Sequence, residues 1–242
     1  TVDIAGSAAI DANDNVSIVA TQANQQVDRT DGTLSDTAAN LITLFSATIN
    51  DYSGNVTITN AATIAQLTTI DAATTGTITY TAVTDTAANL ATNTGSYVTS
   101  NKTVTISAGS TATLAELVTI NAATTGAITL STQTIAEDYS GSAADLVSAF
   151  DGITTHTGNI SINAVGGQQS LAQLIAINNA TSGSIDINDN FETNSITGSA
   201  SDLVSALAGT ILTHRGSTSV TGTNTTIAQL ATIDAATGSS LS

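Results

Sequence analysis

The sequence predicts an α/β fold, a right-handed β/α solenoid of short parallel strands alternating with short helices. Three observations predict it. One sentence recurs four times: ATIAQLTTIDAATTG from Ala62, ATLAELVTINAATTG from Ala112, QSLAQLIAINNATSG from Gln169 and TTIAQLATIDAATGS from Thr225. A second interleaves with it: DTAANL at Asp36 and Asp85, GSAADL at Gly141 and GSASDL at Gly198. Between the sentences the apolar period falls to two. Recurrence every 49 to 57 residues is the mark of a stacked, quasi-linear array, in which each unit buries its apolar face on its neighbours.

The array divides into residues 1–35, an N-terminal strand and irregular cap or junction, and residues 36–242, four double repeats at about 36–84, 85–140, 141–197 and 198–242. Thr1–Ile4 reads as a strand and Val16–Ile18 as another. From Asp36 onward each sentence opens with a helix-start signal. Thr63 with Gln66, Thr113 with Glu116, Ser170 with Gln173 and Thr226 with Gln229 have the spacing of a capping box. Thr37 with Asn40, Thr86 with Asn89, Ser142 with Asp145 and Ser199 with Asp202 carry a shorter variant. Alternating boxes of these two kinds predict eight short helices.

Behind the boxes, apolar residues recur at steps of three and four, one face of a helix of two to four turns. Ile64, Leu67 and Ile70 form one such stripe, echoed by Leu114, Leu117 and Ile120, by Leu171, Leu174 and Ile177, and by Ile227, Leu230 and Ile233. The other sentence gives Leu41, Phe45 and Ile49, then Leu146, Phe150 and Ile153, then Leu203, Leu207 and Ile211. Its second copy is interrupted at Asn93, Thr94 and Gly95.

Alternating runs at 55–59, 77–81, 103–107, 127–131, 159–163 and 184–188, with a weaker one at 219–221, predict strands with β-branched residues inward and short hydroxyls outward. Strand, helix, strand in this cadence requires parallel pairing with right-handed crossovers. One polar strand face predicts a sheet open to water, with helices along the other side, leucine-rich-repeat-like in architecture. The last sentence stops at Gly238–Ser242 and the chain opens on a strand. We therefore expect either a piece of a longer array or copies that join end to end.

Composition narrows the function. Aromatics are 3% of the chain, so Ala, Ile, Leu and Val must fill the core. Proline is absent, where average usage of about 5% would supply about a dozen; a prolyl ring removes a ladder donor. With no Cys there is no disulfide and no thiolate metal site. Arg29, Lys102 and Arg215 face nineteen carboxylates, for a net charge of −16. That balance excludes phosphate neutralisation on a nucleic acid and disfavours anionic membranes. No run of about 18 apolar residues is present to insert in a bilayer. An acidic, Thr/Ser/Asn-rich, Lys-poor chain points to an extracellular location.

The alternation of DTAANL with TIAQL-x-x-IDAAT, joined by T-x-T strands over residues 36–238, resembles repeats of giant secreted bacterial surface proteins. These are the RTX-like adhesins and the cell-surface or motility proteins of marine cyanobacteria. The resemblance implies an extracellular structural or adhesive role. The glycine-rich nonapeptide GGxGxDxxx that binds calcium in RTX proteins has no counterpart in this sequence.

Candidate chemistry is sparse. Asp11, Asn13 and Asn15, and again Asp186, Asn188 and Asn190, have the D-x-N-x-N spacing that opens a calcium loop. Neither run has the glycine and the bidentate glutamate that complete one, and Asx residues also simply end strands in turns. No cofactor is required by the sequence, and Ca²⁺ is the one ion with a candidate site. His156 and His214 occupy equivalent loops, where a base, a metal ligand or a helix-dipole partner are alternatives. Thr57, Thr59, Thr79, Thr81, Thr103, Thr105 and Thr129 form an outward ladder like those that order water on ice-binding β-solenoids. Later rungs replace Thr with Asn159, Ser161, Asn163, Asp186 and Asn188. No catalytic signature is present. The expected function is therefore a structural repeat segment of a surface layer, filament or adhesin stalk, self-associating or continuing a longer array. A calcium- or glycan-binding adhesin module and an ice-binding protein are the alternatives.

Overall fold

The structure, a computed structural model, describes residues 2–3, 27–28, 33–47, 52–163, 169–188, 195–209, 211, 214, 216–238 and 241–242. The chain forms two compact units. The first is Thr1–Asp85 with Thr92–Thr105 and Thr124–Ala127; the second is Thr86–Ala91 with Ile106–Ala123 and Ile128–Ser242.

Short strands and short helices alternate. The strands are β1 (Val2–Asp3), β2 (Val27–Asp28), β3 (Thr33–Asp36), β4 (Asn55–Ile58), β5 (Ile78–Thr79), β6 (Ala82–Asp85) and β7 (Thr103–Ile106). They continue with β8 (Ile128–Thr129), β9 (Tyr139–Gly141), β10 (Ile160–Asn163), β11 (Ile185–Asn188), β12 (Ile196–Ser199) and β13 (Thr218–Thr221). The helices are α1 (Ala38–Ala47), α2 (Ile64–Ala73), α3 (Ala87–Thr92), α4 (Leu114–Ala123) and α5 (Thr132–Ala136). After them come α6 (Ala143–Phe150), α7 (Leu171–Ala180), α8 (Ala200–Leu207) and α9 (Ile227–Ala236).

All eight anticipated helices form, and each N-cap hydroxyl accepts from the amide three residues on. In α2, α7 and α9 the box is reciprocal, the Gln66, Gln173 and Gln229 side chains reaching back to the cap amide. In α4, Glu116 Oε2 accepts from Thr113 N at 2.7 Å while Glu116 N donates to Thr113 Oγ1 at 3.2 Å. The second sentence makes the forward bond from Asn40, Asn89, Asp145 and Asp202 N, and where the third helical residue is Asp the cap hydroxyl donates to its carboxylate, Ser142 Oγ to Asp145 Oδ2 and Ser199 Oγ to Asp202 Oδ2, both at 2.8 Å. α5 is additional: a single turn capped by Ser131, with no apolar period to announce it.

Strand pairing is parallel wherever its register is described. Leu34, Val56 and Ile78 lie abreast on β3, β4 and β5, and Tyr139, Ile160 and Ile185 abreast on β9, β10 and β11. Outside the strands, isolated parallel bridges link residues from 21 positions apart (Ala62 with Val83) to 26 (Ile185 with Ile211). The repeats predict one sheet through the array; the structure instead gathers its strands in several sheets of two or three. Strands as short as Ile78–Thr79 and Ile128–Thr129, shorter than the anticipated 77–81 and 127–131, end each ladder early. The strand expected at Val16–Ile18 lies outside the described residues.

Burial follows the alternation. On β4, Val56 and Ile58 are buried between exposed Asn55 and half-buried Thr57. On the helices, Leu67 and Ile70, Leu117 and Ile120, Leu174 and Ile177, Leu146 and Phe150, and Leu203 and Leu207 are buried. One stripe departs from expectation. On α9 only Ile233 is buried, while Ile227 is 87% and Leu230 36% exposed. The helix is nearly the same sequence as α2; what it lacks is cover.

Two recurrent devices join segments about two dozen residues apart. In the first, a threonine just past a helix of the first sentence ties back to a carbonyl 20 to 23 residues earlier. Thr74 Oγ1 donates to Gly54 O at 2.8 Å, Thr124 Oγ1 to Lys102 O at 2.6 Å and Thr181 Oγ1 to Gly158 O at 2.8 Å. Each hydroxyl also accepts from the amide two residues on, at Gly76, Gly126 and Gly183. A Cβ on any of these glycines would overlap the carbonyl its threonine binds. In the second device, Gly141 leaves room for Leu114 and Gly198 for Leu171, the leucine Cδ2 occupying the space of the missing Cβ.

Candidate functional site

The strand faces that point away from the buried residues are the candidate binding surface, since among the described residues no group of His, Cys, Asp or Glu gathers elsewhere. In the first unit, the register aligns Ser35, Thr57 and Thr79 as a rank of hydroxyls across β3, β4 and β5. Of the Thr ladder, Thr59, Thr79, Thr81, Thr103 and Thr129 are exposed, and Thr57 and Thr105 half-buried. Thr59 N donates to Asp36 O at 2.9 Å, and Thr103 N donates to Thr81 O at 3.0 Å, so both belong to parallel rungs. Thr105 lies on β7 and Thr129 on β8.

In the second unit the same rank reads Ser140, Ser161 and Asp186 across β9, β10 and β11. Beside it runs a second rank, Asp138, Asn159 and Ser184, wired along the stack. Asp138 Oδ1 accepts from Asn159 N at 2.7 Å, and Asn159 Oδ1 accepts from Ser184 N at 3.0 Å and Ser184 Oγ at 2.6 Å. Asn55 Oδ1 accepts from Thr77 N at 2.9 Å in the first unit by the same geometry. In the second unit, Asp138, Ser140, Asn159, Ser161, Ser184 and Asp186 line a shallow depression of about 300 Å³ over Tyr139 and Ile160. Its chemistry is hydroxyl, amide and carboxylate over an apolar floor, suited to polar, multiply hydroxylated groups.

Of the calcium candidates, Asp186 is exposed on β11 and Asn188 ends that strand. Asp11, Asn13, Asn15 and Asn190 lie outside the described residues. Among the described residues no group of three or more His, Cys, Asp or Glu gathers to hold a metal ion.

Both histidines, read from the sequence as base, metal ligand or helix-dipole partner, lie in the core. His156 and His214 are buried, at 1% and 0% exposure, each in a parallel bridge: His156 with Thr181, His214 with Thr237. His156 Nε2 meets Glu137 O at 2.8 Å, and the ring packs 5.3 Å from Tyr139 and 4.8 Å from Phe150. Burial pushes its pKa down, with the Glu137 carbonyl and the Asp138 charge opposing. The neutral imidazole fills the core with one polar edge satisfied. Tyr139 itself is buried, its hydroxyl donating to Ala112 O at 2.9 Å, and burial raises its pKa. Lys102 caps Tyr80 O at 2.7 Å with its Nζ 4.7 Å from the ring centre.

The threonine ties at Thr74, Thr124 and Thr181 are the residues that sequence reading missed. The available signal was the T-x-G that follows three of the four helices of the first sentence, at Thr74, Thr124 and Thr181. Among the described residues, no helix is long and apolar enough to cross a membrane. The chain matches no family model, no curated protein and no solved structure.

Proposed function

We propose that the chain is a structural repeat segment of an extracellular surface protein. Its coils wind as a right-handed, leucine-rich-repeat-like β/α solenoid that lengthens a surface layer, filament or adhesin stalk. The observation that supports this reading is that every pairing whose register is described is parallel and joins residues 21 to 26 apart, as between Ala62 and Val83 and between Ile185 and Ile211. Right-handed crossovers are the general rule for parallel strands so connected. The threonine ties and the Leu–Gly pairs bind neighbour to neighbour, and the buried histidines serve packing, which also favours a mechanical role. An acidic, cysteine-free chain with three basic residues and its resemblance to secreted repeats support the extracellular assignment.

In-phase deletion tests the solenoid. Removing residues 141–197 joins Ser140 to Gly198 and keeps every rung in register. That variant is expected to remain folded, with a sharp melting transition and unchanged ellipticity per residue. Removing residues 141–168, about half of that double repeat, is expected to disrupt the fold. Equal collapse of both variants would refute the reading.

A second reading is an adhesin module that takes glycan on the strand face. The depression over Asp138, Ser140, Asn159, Ser161, Ser184 and Asp186 favours it. Amide chemical-shift changes confined to β9, β10 and β11 on titration with oligosaccharides would support it, and an unchanged spectrum across a panel of them would remove it.

A further inference from the structure

The strand faces of the two units follow one plan and differ in charge. In the first unit, Thr33, Asn55 and Thr77 form one rank and Ser35, Thr57 and Thr79 the next. In the second, the ranks are Asp138, Asn159 and Ser184, then Ser140, Ser161 and Asp186. The bond from Thr77 N to Asn55 matches the bond from Ser184 N to Asn159, which fixes the correspondence. Asp186 therefore stands where the first unit has Thr79, and Asp138 where it has Thr33.

The two acids differ in what they have left to offer. Asp138 is engaged by its neighbour: Oδ1 accepts from Asn159 N at 2.7 Å and Oδ2 from Asn159 Nδ2 at 3.4 Å. Asp186 is exposed, and among the described residues its carboxylate has no hydrogen-bond partner. Abreast of it the Ser161 hydroxyl is likewise free. Next along, Ser140 Oγ accepts from Asn163 Nδ2 at 2.9 Å, which leaves its own proton to donate. One rank thus presents an obligate acceptor, a hydroxyl of either role and a donor. Strands about 4.8 Å apart spread these three groups over about 10 Å, longer than one pyranose ring. The depression they line, about 300 Å³, matches the small end of ligand sites. No Lys, Arg or His lines it, and the chain carries a net charge of −16. An acidic sugar is repelled from such a surface and a cationic one is drawn to it.

We propose that the β9–β11 face binds a short amino-sugar oligosaccharide, with an ammonium group on Asp186 and sugar hydroxyls on Ser161 and Ser140. This rests on the glycan reading and names the class of sugar.

The test is amide chemical-shift titration of the 242-residue chain with oligomers of glucosamine, of N-acetylglucosamine and of galacturonic acid, at low and high NaCl. Glucosamine oligomers should shift amides of β9, β10 and β11 and bind about fivefold more tightly than the N-acetylated ones. That factor is the size of an exposed ion pair of about 1 kcal/mol. Galacturonate oligomers should give no shift. High salt should erase the fivefold advantage. D186N should erase it too, while leaving the weaker N-acetylglucosamine binding in place. Asp186 is exposed, so that variant should keep the dichroism of the unaltered protein. Equal affinity for the amino and N-acetylated oligomers would overturn the proposal and leave the glycan reading standing. So would a preference that survives D186N, or equal shifts on β3, β4 and β5, where Thr79 replaces the acid. Spectra unchanged by every oligomer would remove the glycan reading as well, and leave the in-phase deletion result standing by itself.

Discussion

The Thr124 hydroxyl lies 2.6 Å from the carbonyl oxygen of Lys102, and the amide of Gly126 donates back to it at 2.9 Å. One side chain thus satisfies a main-chain acceptor of the preceding coil and a donor of its own. Thr124 is 5% exposed, so water cannot substitute. Thr124→Val keeps the shape and leaves both partners unsatisfied; it should cost about 1–3 kcal/mol in urea denaturation. Thr124→Ser should recover most of that.

The glycine of the same turn carries a steeper penalty. At Gly126 a Cβ would run into the main chain of Lys102, which cannot step aside as a side-chain tip can. Gly126→Ala should destabilise by about 3 kcal/mol or more, comparable to overpacking a tight core. Gly109→Ala provides the contrast, since nothing lies within 4 Å of its Cβ position and only the left-handed backbone at φ 83° is strained. Its cost should be about 1 kcal/mol.

Leu114 and Gly141 should behave as one unit. Gly141→Ala pushes against the Leu114 Cδ2 and should cost about 1–3 kcal/mol. Shortening the leucine removes the clash, so the double variant with Leu114→Ala should be less destabilised than the sum of the singles. A double-mutant cycle that closes to zero would mean the two side chains are not in conflict.

His156 links stability to acidity. Its pKa is lowered by burial, so the fold favours the neutral ring. That contribution is complete above the unfolded value of about 6.5 and is lost as pH falls through the lower folded value. Urea midpoints should therefore drop as pH falls below about 6.5, and His156→Phe should remove this residue's share of the drop. A slope unchanged by the substitution would place the acid sensitivity elsewhere.

The eight helix starts were legible in the sequence because a capping box is a local device: hydroxyl, spacing and return group lie within four residues. Parallel pairing was legible for a similar reason, since the cadence of strand and helix leaves no room for a hairpin. Cover was not. Ile227 and Ile64 sit in nearly the same words, yet their exposure differs by the presence of a neighbour that no local pattern encodes. The threonine ties were hidden because a Thr after a helix reads as an ordinary terminus until the carbonyl of Gly54 or Lys102 is seen opposite it. The sequence left His156 open between base, metal ligand and helix-dipole partner, and its buried slot could not be read there because Tyr139, Phe150 and a bridge to Thr181 assemble it. The strand ranks were readable in composition, but their hydrogen-bonded order, Asp138 to Asn159 to Ser184, was not.

Pairing partners as near in the chain as Ala62 and Val83 have a further consequence. Each closure spans about two dozen residues, so the entropy lost per coil is modest and nearly constant. A nascent chain can zip up vectorially, each emerging strand pairing with one about two dozen residues behind it.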